Sequence, residues 1–164
     1  MADGDSMKKD KIQVVKETAC ISTEEHKNPS RRILVVDDDP DTRQLSIDVL
    51  VSSEYEVDAA KDGAAGWEAL RAKHYDLVIT DNKMPKMTGV ELIEKLRYTR
   101  VGLPVIMATR QLPTHIFDQK PWLTPDATLQ RPFSNDDLLA TVKKVLRTDD
   151  SNVSHMNMLL PKYL

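Results

Sequence analysis

Five side chains suited to hard cations and phosphate stand where apolar runs stop. Asp37 and Asp38 end one run, Asp81 another, Thr109 a third, and Arg131 follows a fourth. Carboxylates packed together repel, so such a cluster must hold a proton or a cation. A set of oxygen donors alone, one or two of them carboxylates, suits Mg²⁺. A carboxylate is also a nucleophile toward phosphorus and forms an acyl phosphate. That chemistry needs positioning and charge stabilisation, which a Thr109 hydroxyl and an Arg131 guanidinium would supply.

These groups converge only if the elements between them build the right sheet. Residues 33–36 form a continuous apolar run, as expected of a buried parallel strand. A helix is expected after Pro40 with Leu45, Val49 and Leu50 on one face. Residues 56–60 read as a weaker strand. A helix after Asp62-Gly63 carries Ala65, Ala69 and Leu70, and residues 77–80 form the third strand. Thr88-Gly89-Val90-Glu91 fits a capping box, opening a helix that buries Val90, Ile93 and Leu96.

Residues 104–108 and 127–129 supply the last two strands. Ser134 caps the final helix, whose apolar face comprises Leu138, Leu139, Val142, Val145 and Leu146. Between residues 109 and 127, Pro113, Pro121 and Pro125 interrupt the place of a fourth helix, which is expected to be short or irregular. Alternating strands and helices argue for an α/β sheet covered on both faces. In such sheets ligands bind outside the carboxyl ends of the strands, where strand order reverses. If strands one and three are neighbours, Asp37, Asp38 and Asp81 meet there.

The chain has 164 residues, 40% apolar and 30% charged, with a net charge of −3. This suits one globular domain with polar extensions and carries no basic footprint for direct nucleic-acid binding. No apolar run reaches the roughly 18 residues of a membrane span, and a cytoplasmic protein is expected. The single cysteine, Cys20, excludes an internal disulfide framework and a Cys-based zinc site. Residues 1–30 read as a flexible arm, 31–147 as the folded domain and 148–164 as a tail. Trp67 and Trp122 have no chemical partner in the sequence and are expected to pack.

Four blocks in order carry a resemblance. They are Ile33-Leu34-Val35-Val36-Asp37-Asp38-Asp39-Pro40, Tyr75-Asp76-Leu77-Val78-Ile79-Thr80-Asp81-Asn82-Lys83-Met84-Pro85, Met87-Thr88-Gly89 and Arg131-Pro132-Phe133. Together they resemble the signature blocks of response-regulator receiver domains of two-component signalling, over residues 31–147. The resemblance implies a flavodoxin-like three-layer sandwich, with five parallel strands in the order 2-1-3-4-5. It implies that Asp81 is the phosphoacceptor and that Asp37 and Asp38 hold Mg²⁺ together with Asp81 and the backbone carbonyl of Lys83. Thr109 matches the switch hydroxyl. A histidine kinase or phosphotransfer protein is implied upstream, and an unknown protein contact is the expected output of a stand-alone regulator.

Three residues depart from the family pattern, one of them Thr128, where many receivers carry an aromatic switch residue on strand five. Arg131 stands where the family normally has lysine, replacing a compact point charge by a planar fork. Two arrangements are open: the guanidinium fails to reach the same phosphoryl oxygen, or it pairs with Asp81 at rest. Arg110, following the switch threonine, is long where the family is usually small, and is expected to gate access to Asp81. These departures support an alternative, a degenerate receiver that binds partners without phosphorylation. A haloacid-dehalogenase-type phosphatase would need Asp-x-Asp-x-Thr/Val. Asp37-Asp38-Asp39-Pro40-Asp41 and Asp39-Pro40-Asp41-Thr42-Arg43 both miss the last position, so the chain is expected not to be an enzyme.

Overall fold

The computed structural model describes residues 30–99 and 102–158. Five strands, β1 (Arg32–Val36), β2 (Glu56–Ala60), β3 (Leu77–Thr80), β4 (Val105–Thr109) and β5 (Ala127–Gln130), alternate with five helices. These are α1 (Pro40–Ser52), α2 (Gly63–Ala72), α3 (Gly89–Thr99), α4 (Thr114–Gln119) and α5 (Asn135–Met158). All strand pairings are parallel, in the order β2-β1-β3-β4-β5. Strands β1 and β3 are therefore neighbours, and their register sets Val36 beside Thr80. The residues that follow each strand leave the sheet side by side.

Both faces of the sheet are buried, which is why the central strands read as unbroken apolar runs. Ile33, Val35, Leu77, Ile79 and Ile106 pack with Leu50 of α1 and with Leu138, Val142, Val145 and Leu146 of α5. Leu34, Val36, Val78 and Met107 pack on the other face with Leu70 of α2 and with Leu92, Ile93 and Leu96 of α3. At the edge strand β2 only Ala60 is buried.

Local sequence signals place the helix starts. Thr88 and Glu91 close the expected capping box: the Thr88 amide donates to Glu91 Oε2 at 2.7 Å and the Glu91 amide to Thr88 Oγ1 at 3.2 Å. Ser134 does the same for α5 with Asp137 as its partner, at 2.9 and 3.1 Å. The prolines act as expected. Helix α4 has six residues and is followed by a 3-10 turn, Pro121–Leu123.

Two expectations are corrected. Leu45 is 57% exposed, and Ser46 takes the inward position one turn before Leu50. Adjacent helix residues lie about 100° apart, so one position decides the face, and Ser46 satisfies its hydroxyl by donating to Thr42 O at 3.0 Å. Trp122 is 59% exposed, because Leu123 of the same turn fills the core. Helix α5 extends to Met158. The N-terminal arm with Cys20, and the last six residues, lie outside the described residues. Among those described, no helix is long and apolar enough to cross a membrane.

Candidate functional site

The parallel ladder carries each acid one step beyond its strand. The Asp37 amide donates to Ala60 O at 3.1 Å, and the Asp81 amide donates to Val36 O at 3.0 Å. One carboxylate oxygen each from Asp37, Asp38 and Asp81 therefore gather within 4.8 Å of one another. Asp37 is buried, Asp81 half-buried and Asp38 exposed. The third acid of the run serves elsewhere. Asp39 caps α1, accepting from the amides of Asp41 at 3.0 Å and Thr42 at 3.3 Å. Those bonds hold its carboxyl below the ordinary range.

Asp37 has the most partners. Its Oδ1 accepts from the Asp39 amide at 3.0 Å, and its Oδ2 accepts from Nη2 of Arg131. Its carbonyl accepts from Nη1 of Arg43 at 2.7 Å. Burial pushes the Asp37 carboxyl above its ordinary value and the charge of Asp81 adds to that rise, while Arg131 and the Asp39 amide oppose it. Arg131 is anchored a second time, donating from Nε to Ala108 O at 3.2 Å. The expected pairing of Arg131 with Asp81 at rest is not what the structure has: the partner of Arg131 is Asp37.

Asp81 is oriented from the α3 side. The Asn82 amide donates to Asp81 Oδ1 at 2.6 Å. Asn82 in turn accepts from the Gly89 amide through its carbonyl at 3.0 Å, and from the Val90 amide through its side chain at 3.2 Å. Thr80 donates its hydroxyl to Asp81 O at 2.8 Å. Sequence reasoning gave no role to Asn82, although it follows Asp81 directly, because its partners lie at the folded-back start of α3. Arg43 was also missed, and no periodic signal ties it to Asp37.

Thr109 is buried at the end of β4, in register with Gln130, and its carbonyl accepts from the Arg131 amide at 3.0 Å. Lys83 is exposed in the loop leaving β3, two residues past Asp81. Arg110 is exposed and lines a cavity of about 460 Å³ with Arg131, Phe133 and residues of α1 and α5, apart from the three aspartates.

The chemistry of the cluster favours a hard divalent cation. All its donors are oxygens, and three acidic side chains within this distance would otherwise repel. Arg131 neutralises part of that charge at Asp37.

A doubly wound parallel sheet with an acidic cluster outside the ends of β1 and β3 is the architecture of a signalling receiver. Residues 33–143 match the family model described as the response regulator receiver domain, and the chain belongs to this family of two-component signalling modules. It is 32% identical over 128 residues to the transcriptional regulatory protein DltR of Streptococcus agalactiae, covering 78% of this chain and 56% of that protein. It is 40% identical over 82 residues to the sensor histidine kinase RcsC of Escherichia coli, covering 50% of this chain and 9% of that protein. The chain thus spans about half the length of DltR.

Solved structures agree on the fold. A CheY-like response regulator receiver domain protein from Methanospirillum hungatei superposes with a TM-score of 0.71 at 29% identity, over 75% of this chain and 98% of that one. The response regulator TrrA of Thermotoga maritima, in complex with Mg(2+)-BeF, gives 0.63 at 33% identity, over 70% and 98%.

Proposed function

We propose that the chain accepts a phosphoryl group on Asp81 from a phosphohistidine donor, a histidine kinase or a phosphotransfer protein, and signals through an altered protein-binding surface. The gathering of the Asp37, Asp38 and Asp81 carboxylates within 4.8 Å carries this reading. Those three, with the backbone carbonyl of Lys83, would hold Mg²⁺. The complex of the Thermotoga relative with Mg(2+)-BeF supports that assignment. Bound Mg²⁺ would neutralise charge on the carboxylates and on the incoming phosphoryl oxygens.

The chain's own residues do the rest. The Asn82 amide at 2.6 Å from Oδ1 fixes the carboxylate of Asp81. An Asp81 oxygen attacks phosphorus as the phosphorus–nitrogen bond of the donor breaks, and the electron pair returns to the imidazole nitrogen. The product is an acyl phosphate. Thr109 supplies a hydroxyl and Arg131 a positive charge to its oxygens. The added negative charge biases the contacts made by β4 and the following loop, the change a partner protein reads.

A second reading, a receiver that binds partners without phosphorylation, is favoured by one observation. The Arg131 guanidinium is already engaged by Asp37 and by the Ala108 carbonyl. Incubation with a small acyl-phosphate donor and Mg²⁺, followed by intact mass spectrometry, separates the two. A single phosphoryl adduct that needs Mg²⁺ and is absent from Asp81→Asn supports phosphotransfer. The absence of an adduct, from a phosphohistidine protein donor as well, supports the second reading.

A further inference from the structure

The cavity of about 460 Å³ beside the first two turns of α1 and α5 lies in the size range of sites for small organic molecules. Its walls are of two kinds. Leu45, Phe133 and Leu138 give it an apolar side, and Arg110 and Arg131 a cationic one. Among the described residues that line it none is acidic, although the chain as a whole carries a net charge of −3. Asp41 and Asp136, in the first turns of the two helices, do not line it.

The two arginines differ in how they are held. Arg131 is fixed: Nε donates to the Ala108 carbonyl at 3.2 Å and Nη2 to Asp37, while Nη1 has no bond among the described residues. A donor already fixed loses little freedom when a ligand arrives. Arg110 is exposed and has no hydrogen bond or ion pair among the described residues. Its charge is the one left for an incoming anion, because that of Arg131 is shared with Asp37. On the apolar side Leu45 is 57% exposed, a large side chain that the packing of α1 leaves mostly uncovered. Phe133 is half-buried, so part of its ring also faces open space.

We infer that this cavity binds a small aromatic carboxylic acid in its ionised form, with the carboxylate on Arg110 and Nη1 of Arg131 and the ring against Leu45 and Phe133. A guanidinium presents its N–H donors in a planar fork that matches a carboxylate. The Phe133 ring favours an aromatic body over an alkyl chain, through offset or edge-to-face contact. An inorganic anion would leave Leu45 uncovered, and a neutral aromatic molecule would leave the charge of Arg110 unanswered. The cavity therefore selects molecules that carry both features. The site is separate from the chemistry at Asp81 and does not depend on phosphoryl transfer there.

The test is NMR titration of the full chain with three probes, 2-naphthoate, its neutral counterpart 2-naphthamide, and inorganic phosphate. Backbone amides are followed in the wild type and in Arg110→Ala and Leu45→Glu, both at exposed positions. The naphthoate should give saturable shifts at Leu45, Arg110 and Phe133, with a Kd below about 1 mM. The naphthamide and phosphate should each bind at least about tenfold more weakly, and Arg110→Ala should weaken the naphthoate about tenfold, the scale of one charge-assisted hydrogen bond. Leu45→Glu, which sets an acid in the apolar wall, should abolish binding. If one variant does not fold, the other and the comparison of probes decide the matter. Equal binding of naphthoate and naphthamide, or naphthoate binding untouched by Arg110→Ala, overturns the carboxylate contact. Phosphate binding as tight as that of the naphthoate overturns the aromatic acid in favour of a simple anion site. No saturable shift from any probe overturns binding at the cavity.

Discussion

Gly89 stands so close to Asp81 that a β-carbon on the glycine would lie 2.3 Å from the Asp81 carbonyl oxygen. This approach lets the first amides of α3 reach Asn82, which in turn holds the Asp81 carboxylate. Gly89→Ala must push the helix start away. It is expected to destabilise the protein by about 1–3 kcal/mol, the usual cost of overpacking, and to slow phosphoryl uptake at Asp81. Urea unfolding and the mass-spectrometric assay measure the two effects. An unchanged urea midpoint would show that the contact relaxes freely.

The three adjacent acids have separable roles. Asp38→Asn should leave stability unchanged, because the side chain is exposed, yet weaken Mg²⁺ binding by at least the roughly tenfold typical of losing even an outer partner of a metal site. Asp39→Ala should do the reverse. It removes the cap of α1 and should lower the melting temperature by about 3–5 °C, with Mg²⁺ affinity nearly intact. Thermal melting and calorimetry on both variants check the separation.

Acid stability should depend on Asp62. Its carboxyl lies below the ordinary value of 3.8, first because it accepts from the Ala65 amide and then because Lys86 stands beside it, with Nζ at 3.1 Å. A depressed folded-state value means the stabilisation is fully present above 3.8 and is lost as the pH falls through the lower folded value. Asp62→Asn should flatten the fall in urea midpoint over that range. A slope identical to the wild type would assign the acid sensitivity to other groups.

The 3-10 turn after α4 offers a contrast between neighbours. Leu123 is 1% exposed and Trp122 is 59% exposed. Leu123→Ala should cost about 2–4 kcal/mol, as for a buried leucine, whereas Trp122→Ala should stay within about 0.5 kcal/mol. Equal losses in chemical denaturation would place Trp122 in the core.

Thr109→Val removes one hydroxyl from a buried position at the end of β4. The adduct on Asp81 should still form, while phosphorylation-dependent amide shifts in β4 and the following loop shrink. Thr109→Ser should retain them. NMR spectra of the phosphorylated proteins give the comparison, and a full response in the valine variant would remove Thr109 from the switch.

Much of this molecule is written in short-range pattern. The apolar runs of β1, β3 and β4, the caps at Thr88 and Ser134, and the proline-shortened α4 depend on neighbours a few residues away, so the sequence alone determined them. Placement on a helix face was less legible. One position of rotation exposed Leu45 and turned Ser46 inward, a choice made by the seating of α1 on the sheet. The division of labour between Asp37 and Asp39 also needed the fold, since only the ladder with Ala60 buries one while the other is free to cap α1. The partner of Arg131 lies 94 residues away in the chain. No local pattern reaches so far: the guanidinium finds Asp37 because the order β2-β1-β3-β4-β5 brings the ends of β1 and β5 around one site. The residue types determined which chemistry was available, and the packing of the sheet decided which charge faces which.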